Sequence, residues 1–149
     1  PMSLAQPPEE VGWEKLSMIV DSGASETVIP EGKLNQYPLI ETNASKSGLE
    51  YTAANGKKIP NLGERKFVGI IGEGVERKLT AQVCDVNKTL MSVSKIAKAG
   101  ARVAFDDDGS YIEDKHTNER IWMQQVGGMY SIKLWVSRKL GTVFNRPGH

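Results

Sequence analysis

The sequence predicts a mainly β fold with one short helix, because three kinds of local pattern agree. Apolar and polar residues alternate along most of the 149-residue chain, which is the period of strands with one buried face. Turn signals at Asn55-Gly56, Gly72-Glu73-Gly74 and Gly127-Gly128 separate neighbouring apolar runs and predict hairpins. Residues 89–99 instead have apolar side chains at helical spacing, with Gly100 as a stop signal.

Strand runs alternate with polar turn clusters from residue 13 onward. The first strand, 13–20, leads into a turn at Asp21, and 28–30 ends a second strand because proline cannot donate to a ladder. The polar stretch 31–48 is predicted to be a loop or a weak hairpin. Later strands are predicted at 49–53, 58–62, 65–71, 78–86, 101–105, 111–112, 120–126 and 129–136.

Composition divides the chain into four segments. Residues 1–12 contain three prolines and two glutamates and are predicted to be a disordered leader. Residues 13–105 form the predicted main domain, and residues 106–136 form a β-rich extension. Residues 137–149 have few apolar side chains and are predicted to be a flexible tail.

Charge and cysteine content exclude several classes of function. Nineteen Lys and Arg residues against eighteen Asp and Glu residues leave a net charge of +1 without a basic block, so nucleic-acid binding is not expected. No apolar run is long enough to span a membrane, and no signal peptide is visible. The single cysteine, Cys84, suits a cytoplasmic compartment and is predicted to be a small buried hydrophobe. His116, His149 and Cys84 lack metal-ligand spacing.

The stretch 18–29 carries one acid at the end of an apolar run. Met18-Ile19-Val20 leads into Asp21, small residues follow it, and a second apolar run leaves at Val28. This order places the carboxylate at the tip of a sheet, where a substrate backbone can approach. Gly23 is expected to supply a backbone conformation closed to other residues and to let two chains come close. The alternative is a strand followed by a polar turn with an exposed acid.

The sequence Asp21-Ser22-Gly23-Ala24 between two apolar runs resembles the signature of aspartic proteases, in particular their retroviral and retrotransposon branch. Leu90-Met91-Ser92-Val93-Ser94 has a serine where retroviral proteases have a glycine, and it is similar to the matching piece of copia-type retrotransposon polyproteins. Segments 99–105 and 127–132 also resemble copia-type chains. The resemblance covers residues 13–136 and implies a retropepsin-like half-barrel that is active as a two-fold homodimer.

Aspartic-protease chemistry needs two carboxylates, one ionised to activate water and one protonated to polarise the scissile carbonyl. This chain has one Asp-Ser-Gly. The other dense acidic cluster, 106–108, lacks the bidentate Glu of a calcium loop and is interpreted as a solvated turn. A homodimer in which each chain supplies Asp21 resolves the shortage.

The resemblance implies roles for particular residues. Asp21 would be catalytic, and Ser22 and Gly23 would complete the catalytic turn. An extended peptide would add as a strand between that turn and a flap hairpin above it. The implied substrate-binding residues are Ala24, Ser25, Glu26 and Val28 below, Ala54, Asn55 and Gly56 at the flap tip, and Met91 in a side-chain pocket. The expected partners are a second copy and a Gag-Pol-type polyprotein, in the cytoplasm or in virus-like particles, without cofactor, metal or membrane.

Alternatives stay open from the sequence alone. The chain could be a non-catalytic dimerisation module with a retained protease fold. Asn55-Gly56 could be a plain hairpin turn, and Val28 and Met91 could belong only to the core. The extension 106–136 carries too much apolar surface to remain in water, so we expect it to pack on the main domain or across a dimer. It could instead begin the next polyprotein domain.

Overall fold

The computed structural model describes residues 12–52, 55–71 and 74–139. Strands account for 53% of the described residues and helices for 8%, so the prediction of a mainly β fold is confirmed. The described residues contain two short helices, whereas the sequence predicted one. Neither helix in this part of the chain is long enough or apolar enough to cross a membrane.

Eleven strands and two helices follow one another along the described chain. They are β1 (Trp13–Asp21), β2 (Val28–Pro30), α1 (Asn43–Lys46), β3 (Glu50–Thr52), β4 (Lys58–Ile71), β5 (Val75–Cys84), β6 (Leu90–Ser92), α2 (Val93–Lys98), β7 (Ala101–Ala104), β8 (Tyr111–Asp114), β9 (Arg120–Trp122), β10 (Gln124–Val126) and β11 (Met129–Ser137).

The larger sheet closes on itself. Its strand order is β10-β11-β1-β6-β2-β5-β4-β3, and a further pairing of β11 with β4 joins β11, β1, β6, β2, β5 and β4 into a ring. Alternate side chains of β1 and β11 point inward and are buried, as the period of a half-buried strand requires. The buried apolar core comprises Leu16, Met18, Val20, Ile29, Leu34, Tyr37, Phe67, Ile71, Ala81, Val83, Met91, Ile112, Ile132, Leu134 and Val136.

Strand β11, the last strand of the described chain, pairs with β1, the first. Its residues 131–137 pair antiparallel with residues 13–19 of β1, and its residues 134–136 pair with residues 69–71 of β4. The ring therefore takes strands from both sides of the boundary that the sequence analysis placed after residue 105. Strand β11 also runs through Ser137, which is buried, one residue past the predicted end of the extension.

The contact between β4 and β11 depends on a glycine. Gly69 lies opposite Val136 in the ladder. A Cβ atom built on Gly69 would meet the fully buried side chain of Leu134 closer than van der Waals contact allows. A side chain at position 69 would therefore push β4 away from β11.

A second, three-stranded sheet, β7-β8-β9, packs beside the ring. Ile112 of β8 belongs to the buried core, and Val103 and Ile121 pack against it. On this sheet Tyr111 meets Trp122 edge-on at 5.2 Å between ring centroids, and the guanidinium of Arg120 lies 4.1 Å from the Tyr111 ring. The aromatic and cation–π contacts hold β8 and β9 together, whereas Ile112, Val103 and Ile121 join the second sheet to the core.

Two predicted hairpins have the expected turn chemistry. Strands β3 and β4 pair antiparallel around Asn55-Gly56, and Gly56 has a φ of +84°. Strands β10 and β11 meet at Gly127-Gly128, where both residues have positive φ (+59° and +82°). Two successive residues of positive φ define the turn whose twist matches that of a hairpin. The predicted flap residue Ala54 lies outside the described residues, as do Ala53, Gly72 and Glu73.

The helices differ from the prediction for identifiable reasons. Helix α2 begins after Ser92, because the predicted helical stretch opens with the strand β6, which pairs with β1 and β2. Helix α1 lies in the stretch predicted as a loop. A capping box begins it, in which Thr42 Oγ1 accepts the backbone N–H of Ser45 at 3.1 Å and Ser45 Oγ accepts the backbone N–H of Thr42 at 2.9 Å.

Candidate active site

Asp21 is the last residue of β1 and lies at the end of the sheet. It pairs in parallel register with Ser92, the last residue of β6. Its Oδ1 accepts a hydrogen bond from the backbone N–H of Gly23 at 2.8 Å, and the side chain remains half-buried. The N–H of Ala24 donates to the Asp21 carbonyl oxygen at 3.4 Å. The turn therefore folds back around the carboxylate and leaves it accessible from the end of the strands.

Gly23 acts differently from the expectation. Its φ is not in the left-handed region, so it is not present for its backbone conformation. A Cβ atom at this position would lie 3.4 Å from Asp21 Oδ1. The absence of a side chain keeps one approach to the carboxylate open. The neighbouring Ser22 is exposed, and its side chain makes no hydrogen bond with any described residue of the same chain.

The turn is held from below by Ser92, which is fully buried. The Ser92 hydroxyl donates to the Ala24 carbonyl oxygen at 2.7 Å, and the Ser92 N–H donates to Thr27 Oγ1 at 3.2 Å. The same hydroxyl accepts the N–H of Lys95 at 3.2 Å and so caps α2. One serine thus connects the Asp21 turn, the end of β6 and the start of the helix.

Sequence reasoning did not assign Ser92 or Thr27 to the site. Both are polar and at least nine-tenths buried, and each hydrogen-bonds a segment far away in the sequence. The signal that could have found Ser92 was its place in the segment that resembles copia-type chains, where retroviral proteases have a glycine. Thr27 is a polar residue just before an apolar strand, and nothing in the sequence indicated that it belongs to the site.

Glu26 and Lys95 form an ion pair across the side of the turn. Lys95 Nζ lies 3.4 Å from Glu26 Oε2, and both side chains keep a third or more of their surface in water. An exposed pair of this kind contributes about 0–1 kcal/mol. The ion pair also orients the side chain of Glu26 toward α2.

A groove of about 560 Å³ begins beside the turn and runs between the ring and the second sheet. Glu26, Thr27 and Met91 line it, whereas Asp21 does not. The β5 strand, α2, β8 and the β3 hairpin supply most of its wall. A groove of this size can hold several side chains of an extended peptide.

The groove has an apolar floor and a polar network on one wall. Asn61 Nδ2 donates to Tyr51 Oη at 3.1 Å and to Gln82 Oε1 at 2.8 Å, and Gln82 Nε2 donates to Glu64 Oε2 at 3.2 Å. Burial raises the pKa of Tyr51, against the hydrogen bond from Asn61. The phenol therefore stays neutral and can accept or donate a hydrogen bond at any moderate pH.

The far end of the groove carries a second ion pair. Arg77 Nη2 lies 2.7 Å from Asp114 Oδ2. Hydrogen bonds from the backbone N–H groups of His116 and Thr117 lower the pKa of Asp114, and the charge of Arg77 adds to that effect. The acid is therefore ionised at this end, and the pair anchors β5 to β8.

The structure brings some predicted site residues together and separates others. Asp21, Ser22, Gly23, Ala24 and Ser25 share one turn, and Glu26 and Met91 line the groove next to it. Val28 is half-buried in β2, opposite Leu90. Asn55 and Gly56 are exposed at the β3–β4 turn, where the Asn55 side chain accepts the Lys57 N–H at 2.9 Å. That bond keeps the tip folded within its own hairpin.

Comparisons with known proteins add no family assignment. No protein-family model, curated protein or solved structure matches the chain.

Proposed function

We propose that this chain is a retropepsin-like aspartic endopeptidase of the copia type, active as a homodimer on Gag-Pol-type polyproteins. One observation carries the proposal. A half-buried carboxylate, Asp21, ends a strand at the tip of the sheet in an Asp-Ser-Gly turn that Ser92 holds from below. An acid in a purely structural turn has no need of such a support.

The second carboxylate must come from another chain. Within the described residues, no other carboxylate is hydrogen-bonded to Asp21, whose Oδ1 accepts the N–H of Gly23. Two copies meeting at the ends of β1 would place two Asp21 side chains together. Because two like charges at close range cannot both ionise, the pair would share one proton.

The pair would then hydrolyse a peptide bond in two steps. The ionised carboxylate takes a proton from water, whose oxygen attacks the scissile carbonyl carbon. At the same time the protonated carboxyl donates its proton to the carbonyl oxygen. The C–N bond of the resulting tetrahedral intermediate then breaks as the carboxyl that took the water proton donates it to the nitrogen, and the other carboxylate takes a proton from a hydroxyl of the intermediate. The amine and carboxylic acid products leave, and the pair again holds one proton.

The groove supports a polypeptide as the substrate. Glu26, which lines it, is five positions after Asp21, so the groove adjoins the turn that carries the carboxylate. Its mix of apolar side chains and hydrogen-bonding groups such as Tyr51 and Gln82 suits the side chains and backbone of an extended peptide.

Peptidase assays at several pH values and protein concentrations test the proposal. We expect cleavage of a denatured protein with a maximum on the acidic side and inhibition by pepstatin, a transition-state mimic. Specific activity should fall on dilution as the dimer dissociates. A folded dimer without cleavage at any pH would favour a non-catalytic assembly module. Activity that stays proportional to enzyme over a thousandfold dilution, with a monomeric mass throughout, would rule out a shared site.

A further inference from the structure

The β10–β11 hairpin, residues 124–131, reaches the same end of the sheet as Asp21. The ladder between β1 and β11 ends at the pair Ile19 and Ser131. From that pair β1 continues two residues to Asp21, and β11 extends two residues back to Met129. Asp21 and Met129 therefore each lie two residues past the last pair of the ladder, at the same end of the sheet.

Strand alternation also places the hairpin on the same face as the carboxylate. Directly paired residues share a face, and so do residues two apart on one strand. Ile19 therefore shares its face with Asp21 and with Ser131. Ser131 shares it with Met129, whose own ladder partner is Val126. Val126 and Met129 are 65% and 47% exposed, so an exposed apolar pair lies on this face at the same end of the sheet as the candidate catalytic acid.

The opposite face of the hairpin is already occupied. Tyr130 points to that side, and its ring lies 5.0 Å from the ring of Phe105, measured between centroids. The Gly127-Gly128 turn fixes the tip. The contact with Phe105 thus stabilises the hairpin on the Tyr130 face. The Val126–Met129 face is therefore already ordered, and a partner can bind it without losing conformational entropy in the hairpin.

Charge indicates what covers this face. Residues 121–132 contain no charged side chain, in a chain where 25% of residues are charged. The other edge strands, β3, β7 and β9, each carry one, namely Glu50, Arg102 and Arg120. Edge strands are normally protected by charge. Residues that lie near a two-fold axis meet their own copies, so a face placed on the axis must avoid charged side chains, which would repel their copies.

We infer that the Val126–Met129 face of the β10–β11 hairpin binds a second copy of the chain beside its catalytic turn. The inference rests on the proposed function, because a dimer that joins two Asp21 side chains must bring the residues next to each of them against the partner.

Sedimentation velocity of the wild type and two charge variants tests this interface. Val126→Lys should raise the dimer dissociation constant at least about 100-fold, because both copies lose an apolar contact and gain a like charge. Gln125→Lys is the matched control. It adds the same charge to the same strand, but Gln125 pairs with Tyr130 and lies on the opposite face. We expect its dissociation constant to stay within about threefold of the wild type.

Peptidase activity separates a failure of this interface from a failure of the proposed function. If Val126→Lys regains activity at high protein concentration, its catalytic turn is intact and the interface is supported. A Val126→Lys protein that dimerises like the wild type overturns the inference, and an active wild type still leaves the protease proposal standing. Unchanged dimerisation with a raised KM would also overturn it, since the face would then contact substrate. Circular dichroism confirms that both variants are folded.

Discussion

The hydroxyl of Ser92 donates a hydrogen bond of 2.7 Å to the carbonyl oxygen of Ala24, a residue 68 positions away in the chain. This bond joins the turn that carries Asp21 to the start of α2. It also gives Ser92 a structural role that a glycine could not fill. A glycine would leave both the Ala24 carbonyl and the Lys95 N–H without this partner.

Replacing Ser92 should therefore weaken both the fold and the site. We expect Ser92→Ala to lower the free energy of unfolding by about 1–3 kcal/mol, because a helix cap and a buried carbonyl lose their partner. Peptidase activity should fall further than the loss of folded protein explains. Ser94→Ala in the same helix removes an exposed hydroxyl and should change stability by less than about 0.5 kcal/mol. Urea denaturation of both variants provides the comparison, and equal stabilities would contradict the proposed support.

The closure of the ring by β4 and β11 can be tested at Gly69. Gly69→Ala should destabilise the protein by about 1–3 kcal/mol, because the new methyl group meets the buried Leu134 side chain. Shortening that side chain in the double variant Gly69→Ala with Leu134→Val should recover part of the loss. Gly32→Ala is the control, since its Cβ would meet no atom within 4 Å. A fully additive double variant in thermal melts would show that β4 and β11 do not meet there.

Truncation after Asp108 should unfold the protein. It removes β11, whose Ile132, Leu134 and Val136 are at most 3% exposed, and leaves one edge of β1 unpaired. Burying each such side chain is worth about 1.5–3 kcal/mol, and the three together approach the total stability of a typical domain. Far-ultraviolet circular dichroism and proteolysis measure the outcome. A truncated protein with native stability and activity would show that residues 109–139 form a separate unit.

The thiol of Cys84 should be unreactive in the folded protein. It is 1% exposed, and burial raises its pKa to about 11. At pH 8 a thiol reagent should label it only after denaturation. The raised pKa also makes the free energy of unfolding depend on pH. Below pH 9 the thiol is protonated in both the folded and the unfolded protein. Between about pH 9 and 11 only the unfolded chain loses the proton, so stability falls.

Cys84→Ala provides the matched comparison for that pH effect. The variant lacks the thiol but keeps Tyr37 and Tyr51, whose pKa values burial also raises. We expect the stability of the wild type to fall more steeply than that of the variant between pH 9 and 11. Parallel curves would show that the thiol ionises equally in both states.

Local patterns predicted the parts of the fold that local chemistry determines. The Asn55-Gly56 and Gly127-Gly128 turns were visible because glycine and asparagine tolerate the backbone of tight hairpins. The strand β6 was not, since its three residues resemble the start of a helix and only their pairing with β1 and β2 makes them extended. Closure of the ring by β11 likewise depends on partners distant in sequence, which periodicity does not reveal.

The candidate site likewise has a part that local sequence predicted and a part that depends on residues distant in the sequence. The Asp21 turn is contiguous, and its small residues between two apolar runs made it recognisable. Thr27 and Ser92 contribute through hydrogen bonds that exist only after β6 has inserted between β1 and β2. The groove is assembled from β5, α2, β8 and the β3 hairpin, so its position could not be read from any one segment.

The most direct test is peptide cleavage by Asp21→Asn, measured beside its sedimentation mass. The amide cannot take a proton from water, so cleavage should fall at least about 100-fold. The dimer should persist or tighten, because the repulsion between two carboxylates is removed. Asp107→Asn, at an exposed acid in a turn, should keep wild-type activity. Cleavage by Asp21→Asn at the wild-type rate would contradict the assignment of Asp21 as the catalytic acid and, with it, the proposed function.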